Sequence, residues 1–270
     1  MDSLFAVKNK IIFVTGGSRG IGHMIASCYV KAGARVYITS RDQKRCAAVE
    51  RELSAIGFCR AISGDLSKLS EIERIISELQ VLESKLDVLV NNAGATWGAS
   101  LEEFPQKGWD KVTSLNLKTP FFLIQKFLPM LKVGATPDDP SRIINIGSVD
   151  GSRGPIWDNY SYAASKAGLH HLSKTLVRPL ADQNININNI NLLVNKFDIN
   201  AFRPWLDYPE EIISANGNID IRCDFKNGQI TYIDSKLDVK DFITKINQTS
   251  KLYYKKRIIR ARSEKNPSRE

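Results

Sequence analysis

A chain of 270 residues, 43% hydrophobic and 25% charged, suits one large α/β domain or a smaller domain with an extension, and it can bury a real core. Its longest apolar runs, such as residues 11–14 and 121–124, are far too short to span a bilayer, and Met1-Asp2-Ser3-Leu4-Phe5 lacks the charged-then-apolar layout of a secretion signal, so a cytoplasmic protein is expected. The formal net charge of +9 is uneven: residues 251–270 hold eight Lys and Arg against Glu264 and Glu270, with no nucleic-acid motif beside them, and a solvated terminus is the expectation there.

Through the first 190 residues, short apolar runs alternate with amphipathic ones. Strands are predicted at 10–15, 35–39, 59–63, 86–91, 142–147 and 185–190; helical periodicity covers 21–31, 42–56, 70–82, 107–131 and 160–182. Strict alternation implies right-handed crossovers and a parallel sheet covered on both faces, a doubly wound, Rossmann-type α/β domain over residues 1–190. Ligands of such sheets collect at the carboxyl ends of the strands.

The first strand runs into Thr15-Gly16-Gly17-Ser18-Arg19-Gly20-Ile21-Gly22 and then a helix. Glycines permit a tight turn and let backbone amides approach phosphate oxygens; the helix adds free N–H groups and its positive dipole end. Between a strand and a helix at the start of a βαβ unit, this run predicts a dinucleotide cradle formed by Gly16, Ser18, Arg19, Gly20, Ile21 and Gly22. An NAD site would carry an acid at the end of the second strand, but Ile38-Thr39-Ser40-Arg41 stands there, with Asp42 one step later. Arg41 and Arg19 are suited to clamp a 2′-phosphate, which favours NADP(H).

Tyr162 and Lys166, four apart, share one face of a helix. A phenol with a pKa of roughly 10 is a poor proton-transfer group near neutrality, and a neighbouring ammonium is expected to lower it. Tyr162 is then the proton donor to a ketone oxygen, and Ser148, at the end of the fifth strand, polarises the same oxygen. Tyr160 lies off the face of Lys166. Cys28, Cys46, Cys59 and Cys223 lack metal-type spacing, as do His23, His170 and His171, and no metal site is expected.

With the glycine turn, Asp65-Leu66, Asn91-Asn92-Ala93-Gly94, Ser148 and Tyr162-Ala163-Ala164-Ser165-Lys166, residues near 8 to 190 resemble the short-chain dehydrogenase/reductase family. Gly94-Ala95-Thr96-Trp97-Gly98 and Ile146-Gly147-Ser148-Val149 are similar to β-ketoacyl-acyl-carrier-protein reductases of the type linked to rhamnolipid precursors. The resemblance implies a 3-oxoacyl thioester or similar ketone as substrate, small or carried on an acyl carrier. It implies a catalytic set of Asn116, Ser148, Tyr162 and Lys166, with Asn116 in a water-linked proton relay through Lys166. It also implies that Asp65 and Leu66 flank the adenine, that Asn92, Ala93 and Gly94 line the nucleotide with Tyr162 and Lys166, and that the helices at 107–131 and 160–182 mediate homo-oligomers.

Beyond residue 190 the resemblance stops. No Pro-Gly turn follows Ile185-Asn186-Ile187-Asn188, so the substrate lid and a seventh strand are not expected. Asn216-Gly217 and Asn227-Gly228 predict hairpin turns and 236–246 a helix, giving an atypical β-rich extension over 191–250 ahead of the basic tail at 251–270. Residues 192–205 and 217–226 resemble a stretch of AsmA-like envelope-biogenesis proteins, which would make the chain a fused or frameshifted reading frame. Three readings follow: a carbonyl reductase, a non-catalytic nucleotide-binding protein, and a decayed fusion that folds poorly.

Overall fold

The computed structural model describes residues 7–152 and 158–190, together with the strand backbones at 197–198, 212–226, 229–244 and 258–263. The chain divides into two compact units, Met1–Asn191 and Leu192–Glu270.

In the first unit six strands run parallel in the order β3-β2-β1-β4-β5-β6: β1 (Ile11–Thr15), β2 (Arg35–Thr39), β3 (Cys59–Ala61), β4 (Val88–Asn91), β5 (Ser141–Ile146) and β6 (Ile185–Ile190). Every residue of β1 is buried, as a strand covered on both faces requires. Ile12 and Val14 pack with Val36 and Ile38 against Ala26 and Val30 of α1 (Gly20–Lys31) and Val49 and Leu53 of α2 (Gln43–Ser54). Phe13 and Leu89 belong to the opposite layer, with Ile75 and Leu79 of α3 (Leu69–Leu82) and Leu123 and Phe127 of the helix after β4. The strand order reverses between β1 and β4, and there the crevice for a ligand opens. Among the described residues, β6 is the other edge of this sheet.

The stretch expected as one helix over 107–131 is interrupted. It consists of α4 (Gln106–Thr113), a π-helical turn at Ser114–Lys118, and α5 (Thr119–Gly134). Pro120 has no N–H to donate to the Asn116 carbonyl four residues back, which removes one regular α-helical bond at this point. The bulge falls on Asn116. The last helix of the unit, α6 (Tyr160–Ala181), runs as predicted from its pattern.

The second unit is an antiparallel sheet in the order β10-β9-β8-β7, with β7 (Phe197–Asp198), β8 (Ile212–Lys226), β9 (Gln229–Thr244) and β10 (Ile258–Ser263). Two expectations fail here. Asn216-Gly217 is not a turn: both residues lie within β8, opposite Lys240 and Val239, beside a register irregularity at Ser214/Asn216 that a glycine accommodates. The segment 236–246, read as helical, is strand through Thr244, because pairing with β8 overrides a weak local preference. Asn227-Gly228 lie outside the described residues, but Lys226 pairs with Gln229 across them in antiparallel register. In the basic tail, Ile258–Ser263 pair with β9 along Ile233–Asp238.

Candidate active site

Two turns at the switch point are tied together by side chains. Thr15 Oγ1 donates to the Val90 carbonyl at 3.1 Å and accepts the N–H groups of Asn92 and Ala93, both at 2.9 Å. Asn92 Nδ2 returns to the Thr15 carbonyl at 2.9 Å. Gly16 has φ +66°, a left-handed conformation that favours glycine, and a Cβ on Gly22 would fall 2.2 Å from the Gly16 carbonyl oxygen. Ser18 is buried in the turn, and Gly20 and Ile21 open α1 half-buried. The N-cap of α1 is Arg19, whose side chain makes no capping bond, and the first turn holds no acid. The amides of this helix end therefore lack a side-chain acceptor, and the positive end of its dipole is uncompensated. These features fit a pyrophosphate.

At the far end of the crevice, exposed Arg41 follows β2. The Asp42 carboxylate is engaged elsewhere: Oδ1 accepts the Arg45 N–H at 3.0 Å and caps α2. A cavity of about 590 Å³ is lined by Arg41, Asp65, Lys107, Asp110, Lys111 and Leu115 among others, which fits a phosphorylated ribose better than a neutral one. Asp65 Oδ1 is held by the N–H and hydroxyl of Ser67 at 3.1 and 2.8 Å. Arg19 is exposed and lies outside this lining. Leu66 is 4% exposed in the core, and its carbonyl takes the Thr119 hydroxyl at 2.7 Å. Lys107 and Lys111 escaped the sequence reading. They are one helical turn apart on α4, and only their proximity to a strand end marks them.

Ser148, just past β5, N-caps a one-turn 3₁₀ segment at Val149–Gly151. Tyr162 stands in the first turn of α6, and the Ser148 hydroxyl near its phenol favours the phenolate. The net shift of Tyr162 is nevertheless upward, because burial dominates and Asp150 adds to it. The expected lowering by Lys166 is absent. Lys166 Nζ lies 5.7 Å from the Tyr162 ring centroid and donates instead to the Ile146 carbonyl at 2.6 Å. Burial brings the Lys166 amine itself down to about 8. It remains mostly cationic at neutral pH.

Asn116 is 1% exposed on the π-helical turn. Its Oδ1 accepts the Ala95 N–H at 2.8 Å, and its Nδ2 donates to the Ala95 carbonyl at 2.9 Å and to Ser165 Oγ at 3.1 Å. The side chain thus fastens the turn after β4 to α6 and makes no direct bond to Lys166. Gly94 is exposed on that turn, and a Cβ there would meet Asn116 Oδ1 at 3.3 Å. The fold brings the glycine turn, residues 92–94, Ser148, Tyr162 and Lys166 to one end of the sheet, and buries Leu66 below it. Among the described residues, no three His, Cys, Asp or Glu side chains group to hold a metal, and no helix is long and apolar enough to cross a membrane.

This arrangement belongs to an oxidoreductase class. Residues 10–202 match the family model described as short chain dehydrogenase, and the chain belongs to that family. It is 47% identical over 190 residues to the rhamnolipids biosynthesis 3-oxoacyl-[acyl-carrier-protein] reductase of Pseudomonas aeruginosa, covering 70% of this chain and 74% of that one. It is 36% identical to the 3-oxoacyl-[acyl-carrier-protein] reductase FabG of Staphylococcus epidermidis, covering 67% and 73%. Among solved structures, the Pseudomonas aeruginosa RhlG/NADP active-site complex superposes with a TM-score of 0.69 at 46% identity, over 71% of this chain and 75% of that one. A metagenomic short-chain oxidoreductase in complex with NADP gives 0.64 at 34% identity, over 69% and 83%.

Proposed function

We propose that the first unit is an NADPH-dependent carbonyl reductase acting on the ketone of a 3-oxoacyl thioester, small or borne by an acyl carrier. One observation carries the reading: a half-buried tyrosine near the Ser148 hydroxyl stands at the same end of the sheet as a glycine cradle whose helix end has no side-chain cap. The named relatives support the substrate class, and the two complexes support the cofactor.

NADPH, when bound, supplies the hydride. The amides of the glycine turn and of α1 would hold its pyrophosphate, with Asn92, Ala93 and Gly94 alongside. Arg41 would hold the 2′-phosphate, with Lys107 and Lys111 contributing positive charge from α4. Ser148 donates a hydrogen bond from its hydroxyl to the substrate carbonyl oxygen and draws charge onto that oxygen. Tyr162 then gives its proton to the same oxygen. Burial keeps the phenol protonated at neutral pH, so the proton is present for reduction, while the same upward shift makes it a weaker acid. Lys166, anchored to the Ile146 carbonyl with its Nζ 5.7 Å from the Tyr162 ring centroid, would line the nucleotide beside the phenol. Asn116 acts by holding the turn that carries Gly94 and Ala95. Exposed Phe121 on α5 and Val177 on α6 are the surfaces through which copies would associate.

A second reading, a cofactor-binding protein without turnover, is favoured by the position of β6 at the sheet edge among the described residues, where a following strand and lid would close the substrate side. One titration separates the two. The purified chain should bind NADPH and consume it with a 3-oxoacyl thioester, and more slowly with a ketone lacking the thioester. NADPH binding with no oxidation across a ketone panel selects the second reading.

A further inference from the structure

Ser148 is held at three points. Its hydroxyl oxygen accepts the Asp150 N–H at 3.2 Å, and its carbonyl accepts the Gly151 N–H at 3.0 Å. Both contacts come from the short 3₁₀ segment and leave its position relative to α6 open. The third closes it: the Ser148 N–H donates to His170 Nε2 on α6 at 3.4 Å. The other ring nitrogen, Nδ1, faces the Ser152 hydroxyl at 3.3 Å. A ring that accepts at Nε2 while neutral carries its proton on Nδ1, so these contacts select one tautomer, with Nδ1–H donating to Ser152 Oγ. Steric fit supports the link. A Cβ on Gly151 would fall 2.7 Å from the Lys166 carbonyl carbon and 2.9 Å from His170 Cε1, so the segment approaches α6 as closely as a glycine allows. Lys166 and His170 are one helical turn apart, and Tyr162 is one turn before them, so a single stripe of α6 carries all three.

We infer that His170 is a positioning residue: it fixes the backbone of Ser148 against the helix that carries Tyr162 and Lys166, and so sets where the Ser148 hydroxyl meets the substrate oxygen. This rests on the ketone reduction proposed above. The Asp150 N–H occupies one lone pair of the Ser148 hydroxyl, and its proton stays available for donation. His170 touches neither hydride nor substrate; it keeps the proton donor and the polarising hydroxyl in register.

Two variants and one spectrum test this. His170→Leu removes the ring contacts to Ser148 and Ser152, whereas His170→Gln retains an acceptor and a donor. In His170→Leu, kcat for a 3-oxoacyl thioester is expected to fall about tenfold or more, towards the roughly hundredfold loss that a displacement near 1 Å brings, with KM and the NADPH Kd within about twofold of wild type. His170→Gln is expected to recover most of kcat. A His170→Leu kcat within about twofold of wild type overturns the inference, as does an equal loss in both variants. Should His170→Leu fail to fold, long-range ¹H–¹⁵N NMR of the wild-type chain decides. The His170 ring protonated at Nδ1 alone at neutral pH supports the link, and protonation at Nε2, alone or together with Nδ1, overturns it. If the wild type turns over no ketone, the reductase reading fails, and the same spectrum still settles whether His170 holds Ser148.

Discussion

Replacing Gly22 by alanine perturbs the cradle with the least change in chemistry. The added methyl would lie 2.2 Å from the Gly16 carbonyl oxygen and 2.4 Å from Asn92 Nδ2, both parts of the turn that would receive the pyrophosphate. Relief to ordinary contact near 3.5 Å needs a displacement of roughly 1 Å or more between α1 and that turn. Asn92 is tied to Thr15 and Thr15 to Val90, so the turn cannot yield alone. Overpacking of this kind costs about 1–3 kcal/mol of stability. A displaced turn also loses at least one charge-assisted bond to phosphate, about 1.5–3 kcal/mol, which is roughly tenfold or more in Kd. Calorimetric titration of NADPH into Gly22→Ala, with a denaturant melt of the same sample, reads both quantities. A folded variant whose NADPH Kd stays within about twofold of wild type would refute the placement of the pyrophosphate.

Two further perturbations address charge. Burial brings Lys166 down to about 8 from 10.5, so above pH 8 the folded chain has lost a proton that the unfolded chain keeps, and the Lys166 contribution to stability rises with pH up to about 10. Tyr162, raised above its usual 10, acts in the opposite sense beyond that point. Between pH 8 and 10 the stability read by urea melts should change by about 2 kcal/mol more in the favourable direction in the wild type than in Lys166→Met, the buried thiols acting equally on both; parallel curves for the two proteins would contradict the burial argument. Arg41→Ala should weaken NADPH about tenfold or more and leave NADH unchanged, as read by titration with each; equal losses for both would remove Arg41 from the 2′-phosphate.

The parallel sheet was legible because its central strands are short apolar runs buried throughout, as Ile11–Thr15 and Val88–Asn91 show. The glycine turn was legible for a steric reason, since Gly16 and Gly22 occupy positions where a side chain is strained or excluded. Less visible was the interruption at Asn116. Its signal was Pro120, which removes one helical donor while the apolar periodicity runs on through it. Lys107 and Lys111 were hidden because a basic pair one turn apart reads as any solvated helix face until the sheet brings Arg41 opposite. The sign of the Tyr162 shift was missed for a different reason. Spacing places Lys166 on the right face, but burial and the direction of Nζ towards Ile146 belong to packing. In the second unit, Asn216-Gly217 has the composition of a hairpin turn, and only pairing with β9 shows that the strand continues through it.

The role of the Tyr162 phenol is tested most directly by single-turnover oxidation of bound NADPH with a 3-oxoacyl thioester, in wild type and in Tyr162→Phe. Both proteins should bind NADPH with the same Kd, and the variant should transfer hydride about 10²–10⁴-fold more slowly. Equal single-turnover rates would mean that the proton comes from elsewhere.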